Sequence, residues 1–277
     1  MARVVAAFAA SHAPMMLAAR DIAPAAQRDR FLDGLGQAVR RVREGGAEAV
    51  VVISNEHFTN FFLGNFPQHC VGLAGRHTGP AEPWLPMPHG DVPGHSALAH
   101  ELTRHLLGQG FEPALSHDLH LDHGVMTVYH AVDETLRLPL VPILQNCAVA
   151  PMPTLRRCHE LGAALGKALA ECTAVDRVAV VAAGGLSHTI GTERVGEIDT
   201  EFDRWFLDRM AANRFDDVLD MADRELEAAG NGAHEIRSWL TLAGLADRPA
   251  RILAYEPVQE WITGMGVADY DLSPAWS

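Results

Sequence analysis

The 277-residue chain is predicted to fold as a single α/β domain, with a central mostly parallel or mixed sheet flanked by helices and an active site at the C-terminal edge of its strands. Three observations predict this. Short, almost wholly apolar runs at Val4 to Ala10, Ala49 to Ser54 and Val175 to Ala183 have the length and β-branched content of buried parallel strands. Between the first two, Gln27 to Glu44 places Phe31, Leu35, Val39 and Val42 at helical spacing. Each apolar run also exits into residues that carry chemistry: Ser11-His12, Asn55-Glu56-His57, and Gly184-Gly185-Leu186-Ser187-His188. In an open α/β sheet, groups leaving the carboxyl ends of neighbouring strands converge on one crevice.

Taken in order, the first strand stops at Ala13-Pro14, where proline ends regular pairing. The helix and second strand complete a βαβ opening that lacks a GxGxxG loop, so it gives little support to dinucleotide binding. Asn60 to Gly94, rich in Gly and Pro and carrying Phe61, Phe62, Phe66 and Trp84, reads as a long irregular wall of the active site. Gly94 to Gly110 reads as helix. Leu138 to Leu144 reads as a strand that Pro139 and Pro142 push to an edge or an interrupted ladder. Pro153 to Cys172 is a helix with proline in its first turn. The strand ending at Ala183 enters a double glycine that lets the backbone turn beneath a ligand and brings His188 to the edge occupied by His12 and His57. Helices are expected at Asp199 to Ala212, Phe215 to Ala228 and His234 to Leu245.

Composition narrows the function. A formal charge of −13, with no cluster of Lys and Arg, is the wrong background for binding a phosphate backbone, so nucleic acid is excluded as a partner. No apolar run is long enough to span a membrane, and Arg20 and Asp21 interrupt the start before a secretory h-region forms, so a cytoplasmic location is expected. Cys70, Cys147, Cys158 and Cys172 lack CxxC spacing and are expected to be reduced structural thiols.

Together with Asn231-Gly232-Ala233-His234-Glu235, the strand exits offer histidines and a carboxylate to one crevice. Two imidazoles and one carboxylate with open positions form the facial triad of non-haem Fe(II), which points to an oxygen-using iron enzyme. His234 and Glu235 are adjacent and cannot face one direction, so only one of them is expected in such a triad.

The chain resembles the class III extradiol ring-cleavage dioxygenases, specifically the catalytic β-subunit type that acts on protocatechuate. The resemblance is carried by Ser11-His12-Ala13-Pro14, Asn55-Glu56-His57, Asp122-His123-Gly124, Gly185-Leu186-Ser187-His188, Asn231 to Glu235 and Trp261-Ile262-Thr263-Gly264-Met265-Gly266, in order from residue 8 to residue 268. It implies that His12, His57 and Glu235 ligate Fe(II) and that His188 is the acid/base histidine. Chemistry favours the same division, because a three-ligand shell leaves room for two catecholate oxygens and O2.

His123 is expected to donate to bound oxygen or to a developing enolate, against the plainer reading that Asp122 caps a turn and His123 holds a loop. His120 would share its helical face if the segment were a short turn. Glu56 either orients a metal ligand or holds its own loop. The resemblance further implies a catecholic substrate, first a carboxylated one of the protocatechuate or gallate type and second an uncharged or alkyl- or aryl-substituted catechol, or an aminophenol analogue. It also implies a homo-oligomer or association with a small helical subunit. Two rivals remain at this stage: a zinc hydrolase using the same ligand types, and a non-enzymatic Memo-like protein, against which the presence of Glu235 counts.

Overall fold

A computed structural model describes residues 1–272. Its strands are β1 (Arg3–Ala10), β2 (Ala49–Asn55), β3 (His69–Gly72), β4 (Arg76–Gly79), β5 (Gly90–Pro93), β6 (Ala114–Ser116), β7 (Leu140–Gln145), β8 (Arg177–Ala183), β9 (Arg251–Val258) and β10 (Thr263–Tyr270). The helices are α1 (Met15–Ala18), α2 (Ala25–Gly45), α3 (Ser96–Gly108), α4 (His123–Val132), α5 (Leu155–Glu171), α6 (Thr200–Ala212), α7 (Asp216–Leu219), α8 (Asp223–Ala228) and α9 (Ile236–Ala246). Eight strands form one sheet in the order β6-β3-β7-β2-β8-β1-β10-β9, and β4 pairs with β5 alone.

The centre of the sheet, β7-β2-β8-β1, is parallel throughout, whereas β10 and β9 add antiparallel strands at one side and β3 runs antiparallel to β7 at the other. The sheet is therefore mixed with a parallel core, as the apolar runs predict. Both faces are covered. Along β2, Val51 and Ile53 enter the layer that contains Leu98 of α3, Leu161 of α5 and Trp239 of α9, while Val50 and Val52 enter the layer of Phe31 and Leu35 of α2 and Val125 of α4. The two-residue period of a strand thus feeds two cores, which is why these runs are apolar at every position. Helix α2 ends where Gly46 takes a left-handed conformation, with φ of 63°.

Three expectations need correction. Strand β7 is neither an edge nor a broken ladder, since it lies between β3 and β2. Its ladder to β3 ends at Val71↔Ile143, so the N–H that Pro142 lacks falls beyond the pairing, and Gly72 leaves room for the proline ring. The tract from 60 to 94 is not structureless, since it supplies β3, β4 and β5. The helix expected over 215–228 is split into α7 and α8 by an extended Ala222, whose N–H is taken by Glu225 at 2.6 Å. Helix α4 and the β9–β10 hairpin were not anticipated; α4 starts at Asp122, whose carboxylate accepts the Gly124 N–H. The four cysteines are free and buried, in keeping with structural thiols.

Helices α5 and α9 meet through glycines. A Cβ on Gly162 would lie 1.8 Å from the Thr241 carbonyl, and one on Gly244 would lie 2.0 Å from the His159 carbonyl. Because backbone atoms cannot yield as a flexible side chain does, Gly162→Ala should destabilise the protein by about 1–3 kcal/mol despite alanine's better helix propensity. Urea unfolding measures this; an unchanged or raised midpoint would show that the helices separate at no cost.

Candidate active site

Strand β8 lies between β2 and β1, so the carboxyl ends of these three parallel strands sit side by side. His12 follows β1, His57 follows β2, and the turn after β8 leads to His188. The fourth contribution comes from the 3-10 turn Asn231–Glu235 that opens α9, where Glu235 stands at the helix N-terminus. Its carboxylate is favoured there by the helix dipole and receives the Gly185 N–H at 2.5 Å.

The three imidazoles are oriented alike. His12 Nδ1 faces the Gly124 carbonyl at 3.0 Å, His57 Nδ1 faces Asp122 Oδ2 at 3.1 Å, and His188 Nδ1 faces the Leu186 carbonyl at 2.8 Å. These oxygens only accept, so in the neutral rings Nδ1 carries the proton and Nε2 carries the lone pair. All three Nε2 atoms turn toward Glu235, at 3.0 Å from His12, 3.4 Å from His57 and 3.6 Å from His188. Lone pairs aimed at a carboxylate repel unless a proton or a cation lies between them. The donor set therefore fits a divalent cation: two or three imidazole nitrogens, one carboxylate, and acceptors behind the rings that fix their tautomers.

Burial sets the charges. It holds His12 below the ordinary imidazole pKa even beside Glu235. Burial also opposes a charge on His57, but Asp122 and Glu235 outweigh it and hold that pKa well above the ordinary value. His188 is raised in the same way, with Glu235 and the Leu186 carbonyl outweighing burial. Burial would raise Glu235 and Asp122, yet the surrounding imidazoles hold both well below the usual carboxylate range. Glycine is required at the contacts: a Cβ on Gly232 would lie 2.0 Å from His188 Nε2, and one on Gly124 would lie 2.7 Å from His57 Cε1.

His123 joins the cluster. Its ring stacks on His57 with centroids 4.3 Å apart, and the donor nitrogens of His12, His57 and His123 lie within 4.8 Å of one another. Its Nδ1 is held by Glu82 Oε1 at 2.6 Å, which leaves Nε2 for the crevice. Asp122 thus caps α4, as the turn reading has it, while His123 stands beside His12 and His57. His120 is exposed, lies ahead of the Asp122 cap, and meets Asn60 only through its backbone, so it does not share a helical face with His123. Glu56 holds its own loop, accepting the backbone N–H groups of Thr59 and Asn60.

A cavity of about 500 Å³ opens beside Glu235, lined among others by Phe58, Cys147, Ala148, Ala150, Met152 and Ile190. The aromatic wall expected from Phe61 to Trp84 is not part of it. Phe62 and Trp84 are exposed, and Phe61 and Phe66 pack on one another, with Phe58 against Phe66.

Sequence reasoning did not find Glu82 or Asp203. Asp203 is fully buried and accepts the Ser187 N–H at 2.7 Å, the Ser187 hydroxyl at 2.9 Å and the Tyr255 hydroxyl at 2.8 Å. It thereby fixes the residue before His188. Its partners are 16 and 52 residues away, so no local motif marks it.

The chain is similar to known proteins over most of its length. Residues 6–266 match the family described as the catalytic LigB subunit of aromatic ring-opening dioxygenase. The 2,3-dihydroxyphenylpropionate/2,3-dihydroxicinnamic acid 1,2-dioxygenase of Cupriavidus necator is 29% identical over 81% of this chain and 85% of its own length. The protein of the same name from Rhodococcus rhodochrous is 26% identical over 95% of this chain and 96% of its own. An uncharacterized Escherichia coli K12 protein of known structure superposes with a TM-score of 0.62 at 17% identity, covering 96% of this chain and 100% of that one, and so shares the fold. The chain belongs to the LigB family of aromatic ring-opening dioxygenases, the class III extradiol enzymes. It is an extradiol ring-cleaving dioxygenase, and the hydrolytic and non-enzymatic rivals are set aside.

Burial raises the Asp203 pKa from 3.8 to about 6, against the pull of its three donors. Between those values the folded state keeps a proton that the unfolded chain has lost, so this residue's contribution to stability falls as pH rises from 3.8 to about 6 and then levels off. The difference in unfolding free energy between the wild type and Asp203→Asn should therefore change across that window and stay constant above it. A pH-independent difference would remove the assignment.

Proposed function

We propose that the chain binds one Fe(II) through His12, His57 and Glu235 and cleaves a catecholic ring with O2 beside its two hydroxylated carbons, using His188 for proton transfer and His123 as a donor. The observation that carries this reading is the convergence of three Nδ1-tied imidazoles on the Glu235 carboxylate. Bound Fe(II) supplies one centre at which both catechol oxygens and O2 are brought together. Glu235 supports the reading as the anionic ligand because its two oxygens reach both His12 and His57. His188 stands at the longest distance from Glu235, 3.6 Å, and has a raised pKa, which suits a group that takes a phenolic proton and returns it as the ring opens. His123 is held from behind by Glu82, which takes the Nδ1 proton, so its Nε2 donates to negative charge that develops on oxygen in the imidazolium form.

The cavity and the relatives' names support a narrower substrate class. An apolar wall of Phe58, Ala148, Ala150, Met152 and Ile190 suits a catechol with a short side chain next to the diol better than a carboxylate placed directly on the ring. The named relatives act on 2,3-dihydroxyphenylpropionate, a carboxylated catechol of that kind. Phe58 and Ile190 line the cavity yet are 43% and 44% exposed, which supports closure by a second copy of the chain or by a small helical subunit.

Anaerobic loading with Fe(II) followed by oxygen-electrode assays tests the reaction. One O2 should be consumed per catechol, with a yellow ring-opened product, and 3-alkylcatechols should be preferred over protocatechuate and gallate. Equal turnover with zinc alone contradicts the reading. His188→Phe should retain iron and lose roughly 10²–10⁴-fold in kcat, as expected for removal of a general acid/base. Loss of iron in that variant would make His188 a ligand instead.

A further inference from the structure

The cavity wall carries a second polar network that the ring-opening chemistry does not use. His234, adjacent to Glu235 in sequence, lines the same cavity and is 3% exposed. Its Nδ1 accepts from Arg237 Nη1 at 2.8 Å, which places the ring proton on Nε2, and Nε2 donates to Glu227 Oε2 at 2.8 Å. Arg237 is fully buried and is fixed further by the Pro153 carbonyl at 2.8 Å and Asp223 Oδ1 at 2.5 Å. His234 is thus a rigid N–H donor with a buried cation directly behind it.

The group that occupies this donor is of a different kind. Glu227 sits on the six-residue helix α8, lines the cavity, and has a side chain that is 60% exposed. It is a largely exposed carboxylate resting on a fixed donor. Removing it from His234 returns it to water that already solvates most of it, so the exchange costs little desolvation.

We propose that His234, backed by Arg237, is the seat for the carboxylate on the substrate's side chain, and that Glu227 is an internal carboxylate that fills the seat until substrate displaces it. The inference rests on the ring-opening reading and specifies its substrate as a catechol bearing a carboxylated chain. Exchanging one carboxylate for another leaves the local charge unchanged, which a neutral side chain does not. Glu227 and the substrate chain compete, so the protein discriminates against ligands whose side chain lacks an anion able to take its place. The described lining includes no Lys or Arg; beside apolar groups it presents the carboxylates of Glu56 and Glu235, the amides of Asn55 and Asn231, and the His57 imidazole already paired with Asp122 and Glu235, so His234 is the imidazole on this wall that has a buried arginine behind it and stands apart from the Glu235 cluster.

Two pairs of probes test the proposal. With the iron-loaded enzyme, kcat/KM is compared for 3-(2,3-dihydroxyphenyl)propionate and its alcohol, 3-(2,3-dihydroxyphenyl)propan-1-ol. By calorimetry, Kd is compared for 3-phenylpropionate and 3-phenylpropan-1-ol, which lack the diol and require no turnover. The wild type should favour the acid in both pairs. Glu227→Ala, at a largely exposed position, should raise the acid-to-alcohol ratio several-fold, whereas His234→Leu should lower it roughly tenfold to a hundredfold, as for loss of a hydrogen bond to a charged group. An unchanged ratio in Glu227→Ala overturns the proposal even if His234→Leu does not fold. So does a His234→Leu variant that folds and keeps the wild-type preference, which would move the seat to Asn55 Nδ2, a buried donor on the same lining without a partner. If no catechol is cleaved, the ring-opening reading fails while phenylpropionate binding still reports on the seat.

Discussion

The rest of the site depends on one buried carboxylate faced by the lone-pair nitrogens of three histidines. Each ring has its Nδ1 proton committed to an acceptor on the far side, Gly124, Asp122 or Leu186, so none can rotate to offer Glu235 a proton without losing a hydrogen bond. A buried polar group costs free energy unless it is paired, and a buried ion costs more. That cost is what makes the arrangement selective: it favours whatever supplies positive charge at the meeting point of the four side chains. Protons serve at some of these positions, as the raised pKa values of His57 and His188 indicate, and the proposed divalent ion would meet several of the Nε2 lone pairs and the carboxylate at once.

The sheet creates this meeting point. Because β8 separates β2 from β1 and all three run parallel, their exits deliver His57, His188 and His12 to a single edge, although the residues are far apart in the chain. Helix α9 brings Glu235 to the same edge from the layer above, and its close glycine contacts with α5 fix its height over the sheet. Asp203 and Gly264 then hold the Leu186-Ser187 segment, the first through the Ser187 N–H and the second through backbone bonds in both directions. The chemistry is therefore carried on strand ends and a helix start, while the loops around 58 and 190 shape the entrance.

Much of this is legible in the sequence, for physical reasons that also explain the rest. A strand buried on both faces needs an unbroken apolar run, so β1, β2 and β8 announce themselves, and the first polar residues after each run must lie at the sheet edge. Strand β7 was misplaced because Pro142 removes a donor only on one side and only where the neighbour's ladder continues, which depends on where β3 ends and not on β7 itself. The β9–β10 hairpin was missed because Pro257 and the glycines at 264 and 266 break the apolar alternation, whereas in the fold Gly264 is forced by the close approach of Asp203. Phe61, Phe62, Phe66 and Trp84 look like a binding wall by composition, but only tertiary packing decides which aromatic ring faces the cavity, and Phe58 does. Glu82 and Asp203 act through partners 41 and 16 residues away and leave no local pattern to read.

Anaerobic titration with Fe(II), followed through the thermal unfolding midpoint, tests the central claim most directly. A ligand that binds only the folded state at a hundredfold excess over its Kd stabilises it by about 2.7 kcal/mol, enough for a shift of several degrees in Tm. The wild type should bind one equivalent and gain such a shift, Glu235→Gln should show neither, and His188→Phe should retain both. Tight stoichiometric binding by Glu235→Gln, with the wild-type shift intact, would contradict the claim that this carboxylate is the anion around which the site is built.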